Sequence, residues 1–578
     1  MMKLRFKNIY ARNLALLSAG VLSAIGMQGT KAQATASTAT PTGITTVFYI
    51  LLENRNWTAN EPSGGAQVLG NTTAAPYINS LVTPGNPNAA QVSYCSCYHQ
   101  DLSVYNGSGP SIHPSEPNYV WMESGSNLSK LDDNDPYGST DSVSQIVNYQ
   151  EANPNLTLEN LSGLLEASGY TWKSYSEDTN LQNTSGANFN NAGGTLSNTP
   201  VASGQWTVPL VSFSGSSTSY TNQYNGTHQY NFACKHTGQL FFTATNGSTP
   251  NTANSSIQNI EAKNYAPLQQ LATDLANNTV ANYNVITPDQ YNDMHTALST
   301  NFAYNGTTFT AGSDAEQIAQ GDNFVSIVVP EIMNSAVYKA GHAEIVLWTD
   351  ETEGTNQNDF NHTLTEIFIS PLCKGNAYDS TLNYTHSSDI ATMQKMFGLT
   401  ADTPTGFLND AANNSNATPN GVTGVSQKVG ATYTGFTGTA FTQAASPTGG
   451  FGTGTAQDLS DLFVAGTVPS TIPGLSYSAS GYVFNRKTGA YSQTVTVTNT
   501  LGSVIPNAVY LVLGNLSSNA TLTNSAGTTV NTDAGSPYVS VAPTGLAAGA
   551  SVTVSLQYTV TSGTINSTMV PIQTAAQP

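Results

Sequence analysis

A serine set between two prolines is the part of this chain best suited to chemistry. The stretch reads His113-Pro114-Ser115-Glu116-Pro117-Asn118-Tyr119, with an asparagine three residues after the serine. Each proline fixes its own φ and biases the residue before it away from helix, so the pattern predicts Ser115 on a stiff, exposed turn. Most such turns only reverse the chain, but this one would hold a hydroxyl at one angle, as a nucleophile requires.

Carboxylates end two apolar runs elsewhere in the chain. Glu53-Asn54 follows the run at residues 47–52, and Asp350-Glu351 follows the run at 345–348. A solvated acidic loop is the simpler interpretation of the second pair. Carboxylates at the ends of two buried strands, together with a positioned serine, are instead the parts of a metal-assisted phosphoryl-transfer site.

Residues 45 to about 400 alternate strand-like and helix-like patterns. Several strand candidates are near-continuous apolar runs, which is typical of strands covered on both faces. The pattern predicts an α/β domain with a mostly parallel sheet flanked by helices. Glu53 and Asp350 would then lie beyond the carboxyl ends of strands, where ligands bind in such sheets. The predicted strands are 46–52, 240–243, 283–287, 344–348 and 364–370, and the predicted helices are 155–168 and 267–277.

Length and composition divide the 578 residues into four parts, because one hydrophobic core cannot serve a chain of this size. Residues 1–34 have the basic start, apolar stretch and small-residue cleavage site of a secretory signal peptide. Residues 45–400 form the predicted catalytic domain, and residues 401–473, rich in Gly, Thr and Pro, predict a linker or loop region. Residues 474–578 alternate strictly and predict an Ig-like β-sandwich domain.

Charge and hydropathy limit the possible partners and the possible location of the protein. Only 9% of the residues are charged and the formal net charge is −19, which argues against nucleic acid as a partner because that needs clustered Lys and Arg. No segment after the signal is long and apolar enough to span a bilayer. We therefore expect a secreted or periplasmic protein. Four cysteines are too few for a disulfide scaffold, although an oxidising compartment would allow one or two bridges.

Several segments, taken in order, resemble the bacterial phosphoesterase family, which contains acid phosphatases and phospholipases C. Residues 47–56 resemble its opening motif, and residues 113–119 followed by Glu123-Ser124-Gly125-Ser126 resemble its acid-phosphatase branch. The resemblance covers about 45–400 and implies a fold of the alkaline-phosphatase superfamily. The other matching blocks are 170–178, Lys235-His236, Asn292-Asp293-Met294-His295, Asp350-Glu351, 369–371 and 384–388.

The resemblance also implies a role for each matching residue. Ser115 would be the nucleophile and would share a divalent metal ion, which lowers the pKa of its hydroxyl, with the four acidic and amide side chains above. The implied metal ligands are Glu53, Asn54, Ser115, Asp350 and Glu351, the implied catalytic histidines are His236 and His295, and the implied substrate-binding residues are Asn118, His99 and His386. Without the resemblance, each isolated histidine would be interpreted as an ordinary surface or core residue.

The donor set favours one group of metals. Three carboxylates and an amide offer only oxygen ligands, which suit Mg²⁺, Ca²⁺ or Mn²⁺ better than Zn²⁺. Together with the predicted signal peptide, the resemblance implies an exported acid phosphatase that hydrolyses small phosphate esters through a phosphoserine. A phospholipase C acting on phosphodiester lipids is the alternative enzyme. A non-catalytic surface protein, with cell-surface or carbohydrate contact through the C-terminal domain, is the alternative from another class.

Overall fold

A computed structural model describes residues 43–578 with internal gaps. The predicted signal peptide and most of the predicted linker lie outside the described residues. The gaps are 59–64, 101–112, 129, 131, 138–140, 155, 180–197, 199–200, 248–256, 354–362, 381, 400–406, 410–453, 456–457, 465–466, 470–474, 501–503, 506–507, 515, 530–535 and 575–578.

The N-terminal part of the described chain combines short strands with nine helices. Its strands are β1 Thr46–Leu52, β2 Val92–Cys95, β3 Tyr98–His99, β4 Trp172–Ser176, β5 Phe213–Ser216, β6 Gln229–Phe232, β7 Tyr265–Pro267, β8 Tyr283–Thr287, β9 Phe302–Tyr304, β10 Thr307–Phe309, β11 Ala343–Thr349, β12 Glu366–Ile369, β13 Tyr378–Ser380, β14 Leu382–Thr385 and β15 Gly454–Thr455. Its helices are α1 Pro76–Leu81, α2 Glu116–Ser124, α3 Ser142–Ala152, α4 Leu161–Ala167, α5 Thr243–Asn246, α6 Gln270–Asn277, α7 Asp314–Asn334, α8 Ala336–Lys339 and α9 His386–Phe397.

Eight of these strands form one sheet, in the order β13-β2-β12-β11-β1-β8-β4-β7. The neighbours of β1 on both sides, β11 and β8, run parallel to it, as do β4 beside β8 and β7 beside β4. Only β12 runs antiparallel to both of its neighbours. The predicted α/β class with a mostly parallel sheet is therefore confirmed.

Both faces of this sheet are buried, which explains the near-continuous apolar strands. Alternate residues of β1 belong to two different core clusters: Val47 and Tyr49 pack on one face, and Phe48 and Ile50 on the other. Helices α2, α4 and α9 contribute to the first cluster, and α1, α6 and α7 to the second. The sheet is thus the middle of three layers.

Some predicted elements differ from the structure. The predicted strand 240–243 is wrong, because Gly238–Phe241 forms a 3₁₀ helix. Short apolar runs do not distinguish a strand from a buried helical turn. This turn lies close against α2: a Cβ on Gly238 would stand 2.3 Å from the carbonyl oxygen of Tyr119. The predicted helix 155–168 begins only at Leu161 in α4, and the helix 267–277 begins at Gln270 in α6.

Short described pieces of the predicted linker pack onto the α/β core. Leu408, Leu459 and Leu462 are fully buried in the cluster that also contains Trp348. Lys395 forms an ion pair with Asp458. These pieces therefore continue the α/β unit. No disulfide joins the four cysteines, whose side chains are all buried.

The C-terminal region consists of two small antiparallel sheets, ordered β16-β18-β23-β20 and β21-β22-β19-β24, with β17 also paired to β18. Side chains from both sheets form one core, which includes Val495, Val497, Leu511, Val539 and Leu556. The arrangement is a β-sandwich, as predicted. Its strands are β16 Leu475–Ala479, β17 Val483–Asn485, β18 Ala490–Asn499, β19 Ala508–Gly514, β20 Ala520–Leu522, β21 Gly527–Thr528, β22 Pro537–Ala542, β23 Ser551–Val560 and β24 Thr568–Thr574.

No helix within the described ranges combines the length and the apolar character needed to cross a membrane.

Candidate active site

Two neighbouring parallel strands end together and deliver the acidic side chains. Leu52 of β1 pairs with Thr349 of β11, so the residues that follow them, Glu53 and Asp350, emerge side by side. The backbone N–H of Asp350 donates to the carbonyl of Leu52 at 3.3 Å, and the backbone N–H of Asn54 donates to Asp350 Oδ1 at 2.9 Å. The register of β1 and β11 therefore brings Glu53 and Asp350 together.

Glu53, Asp350 and Glu351 form a compact buried cluster. One carboxylate oxygen from each lies within 4.8 Å of the others, and none of the three residues is more than 2% exposed. Glu53 Oε2, Asp350 Oδ2 and Asn54 Oδ1 are buried and accept no hydrogen bond from the described residues, whereas Glu53 Oε1 lies 3.1 Å from His236 Nε2. Buried acceptors without donors are costly unless a cation satisfies them. The residues therefore fit an oxygen-ligated divalent metal ion.

The carboxyl pKa values reflect this crowding. Burial, and then the charges of Glu53 and Glu351, raise the pKa of Asp350 well above its ordinary value. Burial also raises the pKa of Glu351. Burial alone would raise the pKa of Glu53 too, but His236 and His295 lower it to about 2. Glu53 is thus the carboxylate that stays ionised most readily.

Ser115 occupies the N-cap position of α2, and its side chain faces the acidic cluster. Its hydroxyl donates to Glu351 Oε1 at 3.1 Å. The prediction of an exposed turn is wrong, since Ser115 is only 5% exposed and Glu116 already begins the helix. Proline is well tolerated in the first turn, where a backbone N–H would have no acceptor within the helix, so Pro117 is compatible with the start of α2. The helix N-terminus also favours negative charge beside Ser115.

Two further side chains hold the other oxygen of Glu351. Asn118 Nδ2 donates to Glu351 Oε2 at 3.3 Å, and His113 Nδ1 lies 2.9 Å from the same oxygen. The structure therefore brings Asn118 to the cluster, as the sequence suggested. His113 was not singled out from the sequence, although it opens the same motif two residues before Ser115.

His236 lies between two acidic side chains. Its Nε2 is 3.1 Å from Glu53 Oε1 and its Nδ1 is 3.7 Å from Asp293 Oδ2. Its ring stacks on Tyr119 of α2, with centroids 4.8 Å apart and planes 14° apart. Burial by itself would lower the pKa of His236, but the charges of Glu53 and Asp293 raise it. Below that pKa the imidazolium places a positive charge beside the cluster.

The loop after β8 carries His295 to the same region. The backbone N–H of Glu53 donates to the carbonyl of Asp293 at 2.8 Å, and Asp293 Oδ1 accepts the backbone N–H of His295 at 2.8 Å. Arg55 binds the carbonyl of Met294 through Nε at 3.1 Å and Nη2 at 2.9 Å. Met294 has a positive φ of 85°, which a methionine rarely adopts, so Arg55 holds a strained loop in place. Arg55 and Asp293 are positioning residues that sequence reasoning missed, although both lie within the quoted motifs.

His386 contacts the backbone of Asp350 and His99 lies on β3, whereas His236 contacts the carboxylate of Glu53. His386 Nε2 donates to the backbone carbonyl of Asp350 at 2.7 Å, and its Nδ1 lies 2.9 Å from the hydroxyl of Tyr98. Burial lowers the pKa of His386 to about 3, so this imidazole is neutral. His99 is buried on β3, where it pairs with Thr385 of β14. The side chain of His386 thus holds the backbone that follows β11.

A second group of buried carboxylates differs from the first because hydrogen bonds satisfy its oxygens. Oxygens of Glu177, Asp178 and Asp289 also lie within 4.8 Å of one another. Here Glu177 accepts the side-chain amides of Asn222 and Asn292, each at 2.8 Å, and Asp289 accepts the backbone N–H of Asn292 at 2.9 Å. Burial and the charge of Asp178 raise the pKa of Glu177 to about 8. Hydrogen bonds satisfy this group, which fixes the start of the loop that leads to Asp293.

The α/β fold, the serine at a helix N-terminus and the buried carboxylates beside it define an ester hydrolase. The model of the phosphoesterase family matches residues 88–400, more than half of the chain. The chain therefore belongs to the phosphoesterase family. Glu53 and Asn54 precede the matched segment and join the site through the pairing of β1 with β11.

Solved structures share only a general likeness with this chain. The lipoteichoic acid synthase LtaP from Listeria monocytogenes is 9% identical, with a TM-score of 0.33 over 63% of this chain and 74% of that one. A protein of the alkaline phosphatase superfamily from Vibrio parahaemolyticus is 10% identical, with a TM-score of 0.30 over 79% of this chain and 78% of that one. No curated protein matches the sequence.

Proposed function

We propose that this phosphoesterase is an exported, metal-dependent acid phosphatase that hydrolyses phosphomonoesters through a phosphoserine at Ser115. The observation that carries the proposal is the hydrogen bond from the Ser115 hydroxyl to Glu351, at the edge of a carboxylate cluster with unsatisfied buried oxygens. A serine hydroxyl is a weak nucleophile unless a base or a cation favours its alkoxide.

Different residues would supply the base and the metal ligands for such a reaction. Glu351 Oε1 is the acceptor nearest the proton that leaves Ser115, and its raised pKa suits a base. Glu53, Asn54, Asp350 and Glu351 would hold the divalent metal ion, of the Mg²⁺, Ca²⁺ or Mn²⁺ type. That ion would supply charge neutralisation and activation of the hydroxyl.

Donors around the cluster would bind the phosphoryl oxygens. Asn118 contributes an amide and His236 an imidazole within 3.1 Å of Glu53. His295 stands on the adjoining loop and is partly exposed, which suits contact with a substrate that enters from solvent. Fixed donors aimed at developing oxygen charge provide much of the stabilisation in phosphoryl transfer. His99 and His386 would lie behind these phosphate-binding side chains.

A phospholipase C acting on phosphodiester lipids is the second candidate, since the same nucleophile and metal ligands would serve it. The imidazole charge at His236 favours the monoester, because a monoester dianion offers more charge to neutralise than a diester. A non-catalytic binding protein remains the candidate from another class.

Hydrolysis of a chromogenic phosphate separates these candidates. The purified full chain should release phosphate, lose the activity in EDTA and recover it with added Mg²⁺, Ca²⁺ or Mn²⁺. Acid quenching during turnover of a labelled monoester should trap label on Ser115. Absence of hydrolysis with any of these metals would favour the binding protein, and a preference for a diester would favour the phospholipase C.

A further inference from the structure

The edge of one sheet of the β-sandwich carries a concentration of exposed apolar side chains. Tyr477, Tyr482, Val483 and Phe484 are 44%, 37%, 64% and 49% exposed. They make up four of the nine large hydrophobic residues that are exposed in the described part of the chain. We call residues 475–491 of this edge the aromatic hairpin. Grouped exposed apolar residues mark interaction sites, whereas scattered ones are ordinary.

Strand register places two of these exposed side chains on the inner face of the sheet. Tyr477 pairs with Val497 and Phe484 pairs with Tyr491, so both share the face on which Val497 is buried in the sandwich core. β23 occupies one side of β18, and β16 and β17 occupy the other, as an edge. These two side chains lie about 20 Å apart along β18, the length of six residues of strand, and Val483, which pairs with Ser492, lies on the opposite face beside the tip.

The tip of the aromatic hairpin is the basic point of the C-terminal region. Residues 474–578 contain three charged side chains in the sequence, Arg486, Lys487 and Asp533, against a net charge of −19 for the whole chain. Arg486 and Lys487 are exposed in the turn between β17 and β18. Asn485 Oδ1 accepts the backbone N–H of Lys487 at 3.0 Å, which fixes that turn.

The neighbouring polar side chains are already engaged, which bears on the type of partner. Ser480 Oγ accepts the backbone N–H of Thr494 at 3.0 Å, and Gln493 Nε2 donates to the carbonyl of Ser480 at 2.8 Å. A sugar platform would need such groups for the hydroxyls of the sugar. The aromatic hairpin instead offers aromatic and aliphatic surface beside two cations, which is the chemistry of a lipid–water interface.

We propose that the aromatic hairpin binds the surface of an anionic lipid bilayer. Val483 and Phe484 enter the headgroup boundary, Tyr477 and Tyr482 lie at the interface, and Arg486 and Lys487 pair with lipid phosphates. Charge beyond about 8 Å is screened at physiological salt, so the acidic residues of the rest of the chain do not prevent this contact. The inference is independent of the catalytic assignment.

Co-sedimentation of the full chain with lipid vesicles tests the proposal. The chain should bind vesicles of phosphatidylcholine with phosphatidylglycerol and not vesicles of phosphatidylcholine alone. Each cation near an anionic surface contributes about fivefold in partitioning, so Arg486→Gln with Lys487→Gln should weaken binding about 30-fold. Val483→Ser with Phe484→Ser should weaken it at least tenfold. Added salt should reduce binding of the unmodified chain and should hardly affect the doubly neutralised variant.

A matched control uses the same chemistry at another surface. Ile260→Ser with Lys263→Gln removes an apolar side chain that is 72% exposed and an exposed cation, and should leave vesicle binding unchanged. Unaltered circular dichroism shows that each variant is folded. Several results would overturn the proposal: equal binding to both vesicle types, no binding, or an unchanged affinity of both hairpin variants. Retention on a soluble anionic polysaccharide in place of vesicles, or loss of a dimer on hairpin substitution, would overturn it in favour of a glycan or a second copy.

Discussion

Glu123 ties the stability of the α/β unit to pH. It lies at the end of α2, is fully buried, and accepts four hydrogen bonds near 3 Å from the residues that begin α4 and from the neighbouring turn. The donors are Asn160 Nδ2, the backbone N–H and hydroxyl of Ser162, and Gln239 Nε2. Burial nevertheless dominates and raises the pKa of Glu123 from 4.5 to about 7.

The sign of the pH dependence follows from that shift. The folded protein holds the proton of Glu123 more tightly than the unfolded chain does, so its contribution is complete below pH 4.5 and is lost as pH rises through 7. The loss amounts to about 3 kcal/mol, at 1.36 kcal/mol for each tenfold change in proton affinity. With an unfolding entropy of about 2.1 cal/mol/K per residue over roughly 360 residues, this corresponds to about 4 °C in Tm.

Glu123→Gln should abolish this dependence, because the amide is neutral at every pH. Its NH₂ can face Gln239, whose Oε1 accepts no hydrogen bond from the described residues. Relative to the unmodified protein, the variant should gain about 4 °C in Tm at pH 8 and nothing at pH 4.5. Differential scanning calorimetry at both pH values measures the difference, with Glu151→Gln, on an exposed position of α3, as control. An equal shift of Tm at both pH values would mean that Glu123 is ionised in the folded protein.

Four further results are expected. Ser115→Ala should abolish turnover with an unchanged circular dichroism spectrum. Ser96→Ala, which removes another buried hydroxyl bonded to a carboxylate, should keep normal turnover. Substantial turnover by Ser115→Ala would refute the assignment of Ser115 as the nucleophile. Asp350→Asn should lower metal content and rate, with partial rescue by excess metal, while Asp178→Asn in the hydrogen-bonded cluster should leave the metal content unchanged. The profile of kcat/KM against pH should favour mildly acidic pH and a monoester over its matched diester, because His236 carries charge below its raised pKa; an alkaline optimum would move the assignment to the phospholipase C. A chain ending near residue 470 should keep its activity on a small ester, and complete loss with intact folding would mean that the β-sandwich helps to build the site.

The sequence predicted those parts of the fold that depend on local patterns. The predicted strand 46–52 matches β1, and 344–348 lies within β11, because nearly continuous apolar runs followed by charged residues have few other interpretations. The carboxylates at the ends of these strands could therefore be placed at one edge of a sheet. The antiparallel direction of β12 and the 3₁₀ turn at Gly238–Phe241 depend on contacts with distant segments, which a single sequence does not reveal.

The same reasoning explains which site residues were missed. His113, Arg55 and Asp293 lie inside quoted motifs, but their partners are Glu351, the Met294 carbonyl and His236, which are between 57 and 239 residues away in the chain. Residues that hold another side chain leave no periodic signal of their own. Residue type alone separated Ser115 and the carboxylates, because few other side chains supply a nucleophile or metal ligands.

The pKa values of buried acidic groups shift in opposite directions within this fold. Burial raises the pKa of Glu116 to about 9 and that of Glu344 to about 8, so these groups are neutral in acid and must ionise within the core as pH rises. The folded state is therefore favoured by acid and loses stability from these groups between their ordinary values and pH 8 to 9. Glu53, with a pKa of about 2, keeps its charge throughout that range, and the raised pKa of His236 lets the imidazolium stand beside it. Ionisation of Glu116 and Glu344 thus destabilises the scaffold as pH rises, whereas the ion pair of Glu53 and His236 is charged at any pH between the lowered pKa of the carboxyl and the raised pKa of the imidazole.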